Sequence, residues 1–107
     1  MPTRIRESQS LESVYRPVLN ALGRLIRQVN VGRAVEADFE HVMFLLETLP
    51  LATDEFGTAR LRLLNAKHYR NEQEAGAAAW EIRTVMLQLR AKATARSFAP
   101  RRRTPQA

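Results

Sequence analysis

The residues of this chain that could bind a metal ion are two histidines with carboxylates near them. Asp38 and His41 are three positions apart, a spacing that places both side chains on one face of a helix. Helical bundles that hold two metal ions need two carboxylate–histidine pairs of this kind and two further carboxylates. His68 and Glu72 come in the opposite order and do not complete the set. The sequence therefore predicts no metal site, with His41 as a surface or packing residue.

Other motifs for catalysis are missing from the sequence. The chain has no cysteine, which excludes thiol nucleophiles, disulfides and zinc–thiolate sites. Its four glycines are isolated, so there is no glycine-rich loop for a phosphate, and no serine belongs to a nucleophile elbow. We therefore expect a protein that is not an enzyme and binds no cofactor.

Localisation is predicted from what the N-terminus and the apolar segments lack. The first ten residues are polar and have no apolar core of a signal peptide. No stretch approaches the roughly 20 apolar residues of a membrane span. Together with the lack of cysteine, which is compatible with a reducing compartment, these features predict a cytoplasmic protein without a membrane partner.

Positive charge is concentrated towards the C-terminus of a chain with a formal net charge of +6. Residues 83–107 contain seven basic residues and no acidic one, a pattern suited to the phosphates of a nucleic acid. The predicted polyanion contacts are Arg83, Arg90, Lys92, Arg96, Arg101, Arg102 and Arg103. No aromatic platform for base stacking accompanies them. The alternatives are a solvated face with a solubilising tail, and an arginine excess that reflects only coding composition.

Residues 34–55 show the opposite character, with six acidic residues and no Lys or Arg. Part of this pattern has a local reason, because two predicted helix N-termini fall in the segment and negative charge there complements the helix dipole. The same segment is apolar nearly all round the predicted helix at 42–46. An acidic, apolar surface would suit a basic partner or the basic C-terminal helix of a second copy.

A second apolar stripe follows the predicted C-terminal helix, away from its main apolar face. Its members are Ala77, Trp80, Thr84, Leu87 and Ala91. A helix that is apolar on more than one side is central in its fold or lies at an interface, so the alternative is that both stripes belong to the core. The predicted protein-interface residues are Phe44, Leu45, Trp80 and Leu87.

These features lead to two functional hypotheses of different classes. The first is a non-catalytic interaction or adaptor protein that binds a protein partner or itself, as a homo-oligomer, through the second and fourth helices. The second is a small basic nucleic-acid-binding protein. Acidic residues at the start of the third helix, Asp54 and Glu55, argue against a helix-turn-helix because they would repel phosphates.

The elements that position these residues are all predicted to be helices. Apolar residues recur at steps of three and four, and the short links between helices favour antiparallel neighbours. The sequence predicts an all-α fold, either a small four-helix bundle or a helical-hairpin array. Residues 11–96 form a single helical domain in this prediction, between a flexible basic arm at 1–10 and a disordered basic tail at 97–107.

The boundaries of the predicted helices depend on a few residues. Pro17 indicates either a short first turn before a helix or a kink within one, and Asn30 and Gly32 are candidate stops. A second helix is predicted over about 33–49, with Val35 on its buried face, and a third over about 54–69, capped by Thr53. The fourth is predicted to begin at a capping box of Asn71 and Glu74, unless it continues the third.

Overall fold

Four helices and the turns between them make up the described chain. The computed structural model describes the backbone of residues 2–103 and the side chains of residues 13–94. The helices are α1 (Pro2–Asn30), α2 (Glu36–Leu46), α3 (Thr53–Asn71) and α4 (Ala75–Arg103), and residues 2–103 include no strand. The all-α prediction is confirmed.

The helices form a closed ring in which each packs on two others. α4 packs along both α1 and α3, and α2 packs against the same two helices, so α2 and α4 lie at opposite corners of a four-helix bundle. Contacts between α3 and α4 fix their direction, because Arg62 pairs with Glu81 while Glu55 pairs with Lys92. As residue numbers rise along α3 they fall along α4, and the two helices are antiparallel.

The core is a continuous apolar cluster that receives one face of every helix. Tyr15, Phe39, Leu63 and Ile82 are fully buried, one from each helix in turn. On α1 the buried apolar residues recur at steps of three and four from Tyr15 to Val29, whereas Val14 is exposed. Val35 was expected on the buried face of α2, but it precedes that helix and is half-exposed, so that assignment is wrong.

α1 runs through Pro17 as a single helix. The short-first-turn alternative is therefore wrong, and the helix begins at Pro2 rather than near residue 11. Proline has no N–H to donate to the carbonyl of Ser13, but the buried residues on both sides of it, Tyr15 and Val18, hold the helix to the core. The flexibility predicted for residues 1–10 and 97–107 stays a prediction, because the side chains of 1–12 and 95–107 lie outside the described residues.

Residues with a left-handed backbone conformation follow α1 and α3 and end both helices in the same way. Gly32, with φ of 71°, donates its N–H to the carbonyl of Val29 over 3.1 Å, and Arg33 donates to Gln28 over 2.8 Å. These are the paired bonds of a Schellman motif. The predicted stop at Gly32 is confirmed, and its positive φ requires a residue that tolerates this backbone conformation.

α3 ends in the same motif at Gln73, which has φ of 62°. The N–H of Glu74 bonds the carbonyl of Tyr69 at 2.8 Å, and that of Gln73 bonds Arg70 at 3.0 Å. The predicted break between α3 and α4 is confirmed. The predicted capping box is wrong, because Asn71 is the last residue of α3 and α4 begins only after Glu74.

α2 and α3 begin with carboxylates that bond back to the backbone. Asp38 accepts the N–H of Val35 at 2.8 Å, and Glu55 accepts the N–H of Ala52 at 2.9 Å. Each is the carboxylate half of a capping box. Thr53 is the first residue of α3 rather than its cap, so this prediction is wrong by one position.

Candidate interaction surfaces

The outward face of α2 presents one large apolar side chain among carboxylates. Val42 and Leu46 are buried, and Phe44 lies between them in sequence on the opposite side of the helix with 63% of its surface exposed. Glu40, four residues before, and Glu47, three residues after, are both exposed. We call Phe44, Glu40 and Glu47 the acidic face.

The two predicted interface residues of α2 therefore have different surroundings. Phe44 projects outwards, whereas Leu45 is partly buried and packs against the core. Met43 packs against the core as well. Four of the five apolar residues at 42–46 thus pack in or against the core, and Phe44 alone among them is exposed.

Three of the six acidic residues in segment 34–55 have contacts within the fold. Asp38 and Glu55 cap α2 and α3 as described, and Glu55 also pairs with Lys92. Glu36 accepts a hydrogen bond from the ammonium of Lys67 at 2.9 Å. This bond and the charge of Lys67 hold the pKa of the Glu36 carboxyl below its ordinary value.

The carboxylates of Glu40 and Glu47 differ in their contacts from those of Asp38, Glu55 and Glu36. Neither makes a hydrogen bond or an ion pair with any other side chain among residues 13–94. Helix capping and pairing among residues 13–94 thus do not explain their presence. They give the acidic face a negative charge beside Phe44 that no side chain of that range pairs with.

The outward face of α4 carries two large apolar side chains and two arginines. Ile82, Val85 and Leu89 point into the core, while Trp80 and Leu87, with 57% and 53% of their surface exposed, lie on the opposite side. The alternative that both apolar stripes are core is therefore wrong for these residues. Arg83 and Arg90, four before and three after Leu87, are exposed. We call Trp80, Leu87, Arg83 and Arg90 the basic face.

The smaller members of the α4 stripe, Ala77, Thr84 and Ala91, are partly or fully exposed. Thr84 bonds its hydroxyl to the carbonyl of Trp80 at 2.8 Å, which satisfies its donor within the helix. The stripe follows steps of three and four from Ala77 to Ala91, the spacing of a helix–helix seam. It has the pattern of a contact surface for another helix.

An ion pair at the edge of the basic face was not predicted from the sequence. Glu81 is buried, and its carboxylate accepts a bond from the guanidinium of Arg62 at 3.0 Å. The Arg62 guanidinium also lies 5.6 Å from the centre of the Trp80 ring, within the range of a cation–π contact. In the sequence, Glu81 lies among the core positions of α4, and Arg62 is next to the core residue Leu63 of α3. The pairing of the two could be predicted only if it were known which residues of α3 lie beside which residues of α4.

The predicted polyanion contacts are only partly brought together. Arg83 and Arg90 are exposed on α4, whereas Lys92 is half-buried and pairs with Glu55. That pairing neutralises one positive charge on which the phosphate-binding prediction relied. The remaining four are helical in their backbone, but their side chains lie outside the described residues; they are Arg96, Arg101, Arg102 and Arg103.

Two open grooves accompany these surfaces. One, with a volume of about 450 Å³, lies between α3 and α4 and is lined by Leu51, Asp54, Glu55, Thr58, Ala59, Gln88, Leu89, Ala91 and Lys92. The other, with a volume of about 500 Å³, lies where the two Schellman turns meet and includes Arg70 and Asn71. The Arg70 guanidinium donates to the Asn71 side chain at 2.8 Å.

The histidines and carboxylates do not converge on a metal site in the described part of the chain. Asp38 caps α2, and His41 is exposed on the same helix. Across the described residues, no three side chains of the ligating types come close enough to hold a metal ion. His68 lies against Tyr69, with ring centres 6.2 Å apart.

Comparisons with known protein families, with curated proteins and with solved structures find no match to this chain. Among the described residues, none of the helices combines the length and the apolar character that crossing a membrane requires.

Proposed function

We propose that this protein is a non-catalytic interaction or adaptor protein that self-associates through the outward faces of α2 and α4. The observation that carries the proposal is the exposure of Phe44, Trp80 and Leu87, each more than half exposed on the side of its helix away from the core. Large apolar side chains that stay exposed on a helix face, with charged residues beside them, are typical of protein-binding sites.

Two features distinguish these side chains from incidental surface residues: Trp80 and Leu87 share one stripe of α4, and Phe44 has exposed carboxylates beside it. Leu61 on α3 is as exposed as they are, at 58%, but scattered single hydrophobic residues are normal on a surface. Trp80 and Leu87 instead lie two turns apart on one stripe. Aromatic residues and arginine are also the types that dominate binding energy at interfaces.

The proposal is tested by the oligomeric state of surface variants. Trp80→Glu and Phe44→Glu should each lower the weight-average mass measured by light scattering at high protein concentration, because each places a charge in an apolar contact. Leu61→Glu is the matched control, since it adds the same charge at an equally exposed leucine. Equal masses for all four proteins, wild type included, would contradict the proposal.

A nucleic-acid-binding function is the second candidate, favoured by the seven basic and no acidic residues of segment 83–107. Fluorescence anisotropy of labelled DNA and RNA would test it with the full chain and a 1–96 truncation. Binding that depends on the tail and falls by decades between about 50 and 200 mM salt would support phosphate contacts. Absence of binding at low salt would exclude this function.

A further inference from the structure

We infer that the acidic face of one copy docks on the basic face of a second copy, with α2 and α4 antiparallel. This inference rests on the proposed self-association and specifies its geometry. On α2, Phe44 has carboxylates at positions −4 and +3; on α4, Leu87 has guanidinium groups at positions −4 and +3. The two faces thus have the same layout and opposite charge.

The layout determines the direction of docking. Residues at −4 and +3 lie on the same flank of a helix, one turn to either side of the central residue. Two helices packed in opposite directions bring equivalent flanks together, whereas parallel helices bring opposite flanks together. Antiparallel docking therefore sets Glu40 against Arg90 and Glu47 against Arg83 when Phe44 packs beside Leu87.

The groups involved are available for such pairing. Both carboxylates and both guanidinium groups are exposed, and none makes an ion pair with another described side chain. Burying Phe44 and Leu87 against each other would supply the apolar part of the contact. The opposite charges would supply orientation and selectivity against like faces, because two acidic or two basic faces repel.

The bundle allows this contact to repeat. α2 and α4 occupy opposite corners, and their outward faces point away from each other. A copy that docks its acidic face on a neighbour therefore keeps its own basic face free for a third copy. Contacts between two different surfaces lead to rings or open chains rather than to a closed pair. With α2 only 11 residues long, each contact is small and belongs to the weak class of interfaces.

Charge reversal of each face separately tests the pairing. Glu40→Arg with Glu47→Arg gives a variant with two basic faces, and Arg83→Glu with Arg90→Glu gives a variant with two acidic faces. Sedimentation velocity should show that each variant alone associates about tenfold or more weakly than wild type. An equimolar mixture of the two should regain association, because each acidic face again meets a basic one.

Matched controls separate this effect from net charge and from folding. Glu72→Arg with Glu74→Arg changes the net charge as the first variant does, at exposed sites near the turn between α3 and α4. Arg16→Glu with Arg60→Glu does the same for the second variant, also at exposed sites. Both controls should associate like wild type, and urea unfolding monitored by circular dichroism should show that every variant folds.

Each alternative outcome is informative. If only one of the two variants loses association, the face reversed in the other variant is not part of the contact, which overturns this inference but keeps the proposed self-association. If both variants lose association and their mixture does not regain it, the opposite-charge pairing is wrong. A wild-type chain that stays monomeric at every concentration would overturn both the inference and the self-association.

Discussion

The outward faces of α2 and α4 differ in charge although they are built alike. Each has an exposed apolar residue at its centre and two like charges one turn away, carboxylates on α2 and guanidinium groups on α4. The inward faces of the two helices, by contrast, are similar in kind, since both supply apolar side chains to one core. The inward residues set the fold, and the difference between the outward residues determines which surfaces can attract each other.

The largest expected effect of a substitution on either helix is a loss of stability at an inward residue. Leu46→Ala should lower the free energy of unfolding by about 2–5 kcal/mol, because it leaves a cavity in the core. Phe44→Ala, two positions away on the outward side, should change it by no more than about 0.5 kcal/mol. Urea denaturation of both variants checks the contrast. Similar losses for the two would show that Phe44 is held by the fold.

A second effect is expected at the buried end of the Arg62–Glu81 pair. Glu81→Gln removes the charge that the Arg62 guanidinium faces, and we expect a loss of about 1–3 kcal/mol in unfolding free energy. This expected loss is smaller than the loss for a fully buried ion pair, because the Arg62 side chain is 30% exposed. Glu74→Gln, at an exposed position, is the control. Equal stabilities for the two variants would contradict the structural importance of the pair.

Salt should affect the outward faces without affecting the core. Raising sodium chloride from about 0.1 to about 1 M shortens the screening length from about 10 to about 3 Å. We expect self-association to weaken several-fold, without disappearing, since the apolar contact remains. Sedimentation equilibrium at the two salt concentrations measures the change. Stronger association at high salt would indicate that apolar contacts alone drive it.

The smallest effect concerns Glu36 at the edge of the acidic face. The hydrogen bond from Lys67 lowers the folded-state pKa of Glu36 below its ordinary value of 4.5. A lowered folded-state pKa adds stability above the unfolded-state pKa, and this is lost as the pH falls through the folded value. A carboxyl-carbon NMR titration should give a midpoint below 4.5 for Glu36, and Lys67→Met should raise it. A midpoint unchanged by Lys67→Met would exclude the bond in solution.

The fold was largely predictable from the sequence because its signals are local. Apolar periodicity determined the four helices, and Gly32 marked the end of α1 correctly. The errors lie at boundaries where several residues compete for one role. Thr53 is a good capping type, yet Ala52 precedes α3, because the carboxylate of Glu55 accepts the N–H of Ala52. Asn71 is a good capping type as well, yet Glu74 precedes α4, because the left-handed Gln73 turns the backbone just before it.

The surfaces were predictable only in part, because they depend on how the helices pack. Exposure of Phe44, Trp80 and Leu87 was anticipated from their place off the main stripes. The half-burial of Leu45 and the pairing of Lys92 with Glu55 were not. Both depend on neighbouring helices, which a pattern within one helix cannot reveal. The same limit explains why Arg62 and Glu81 were missed.

The most direct test of self-association is a sedimentation velocity series on the wild-type chain at low salt, from low to high micromolar concentration. We expect the sedimentation coefficient to rise with concentration and to pass the value of a dimer, because the two docking faces lie at opposite corners of the bundle. The emission of the single tryptophan, Trp80, should shift to shorter wavelength over the same range as α4 becomes covered. A sedimentation coefficient that stays at the monomer value, with unchanged emission, would contradict self-association.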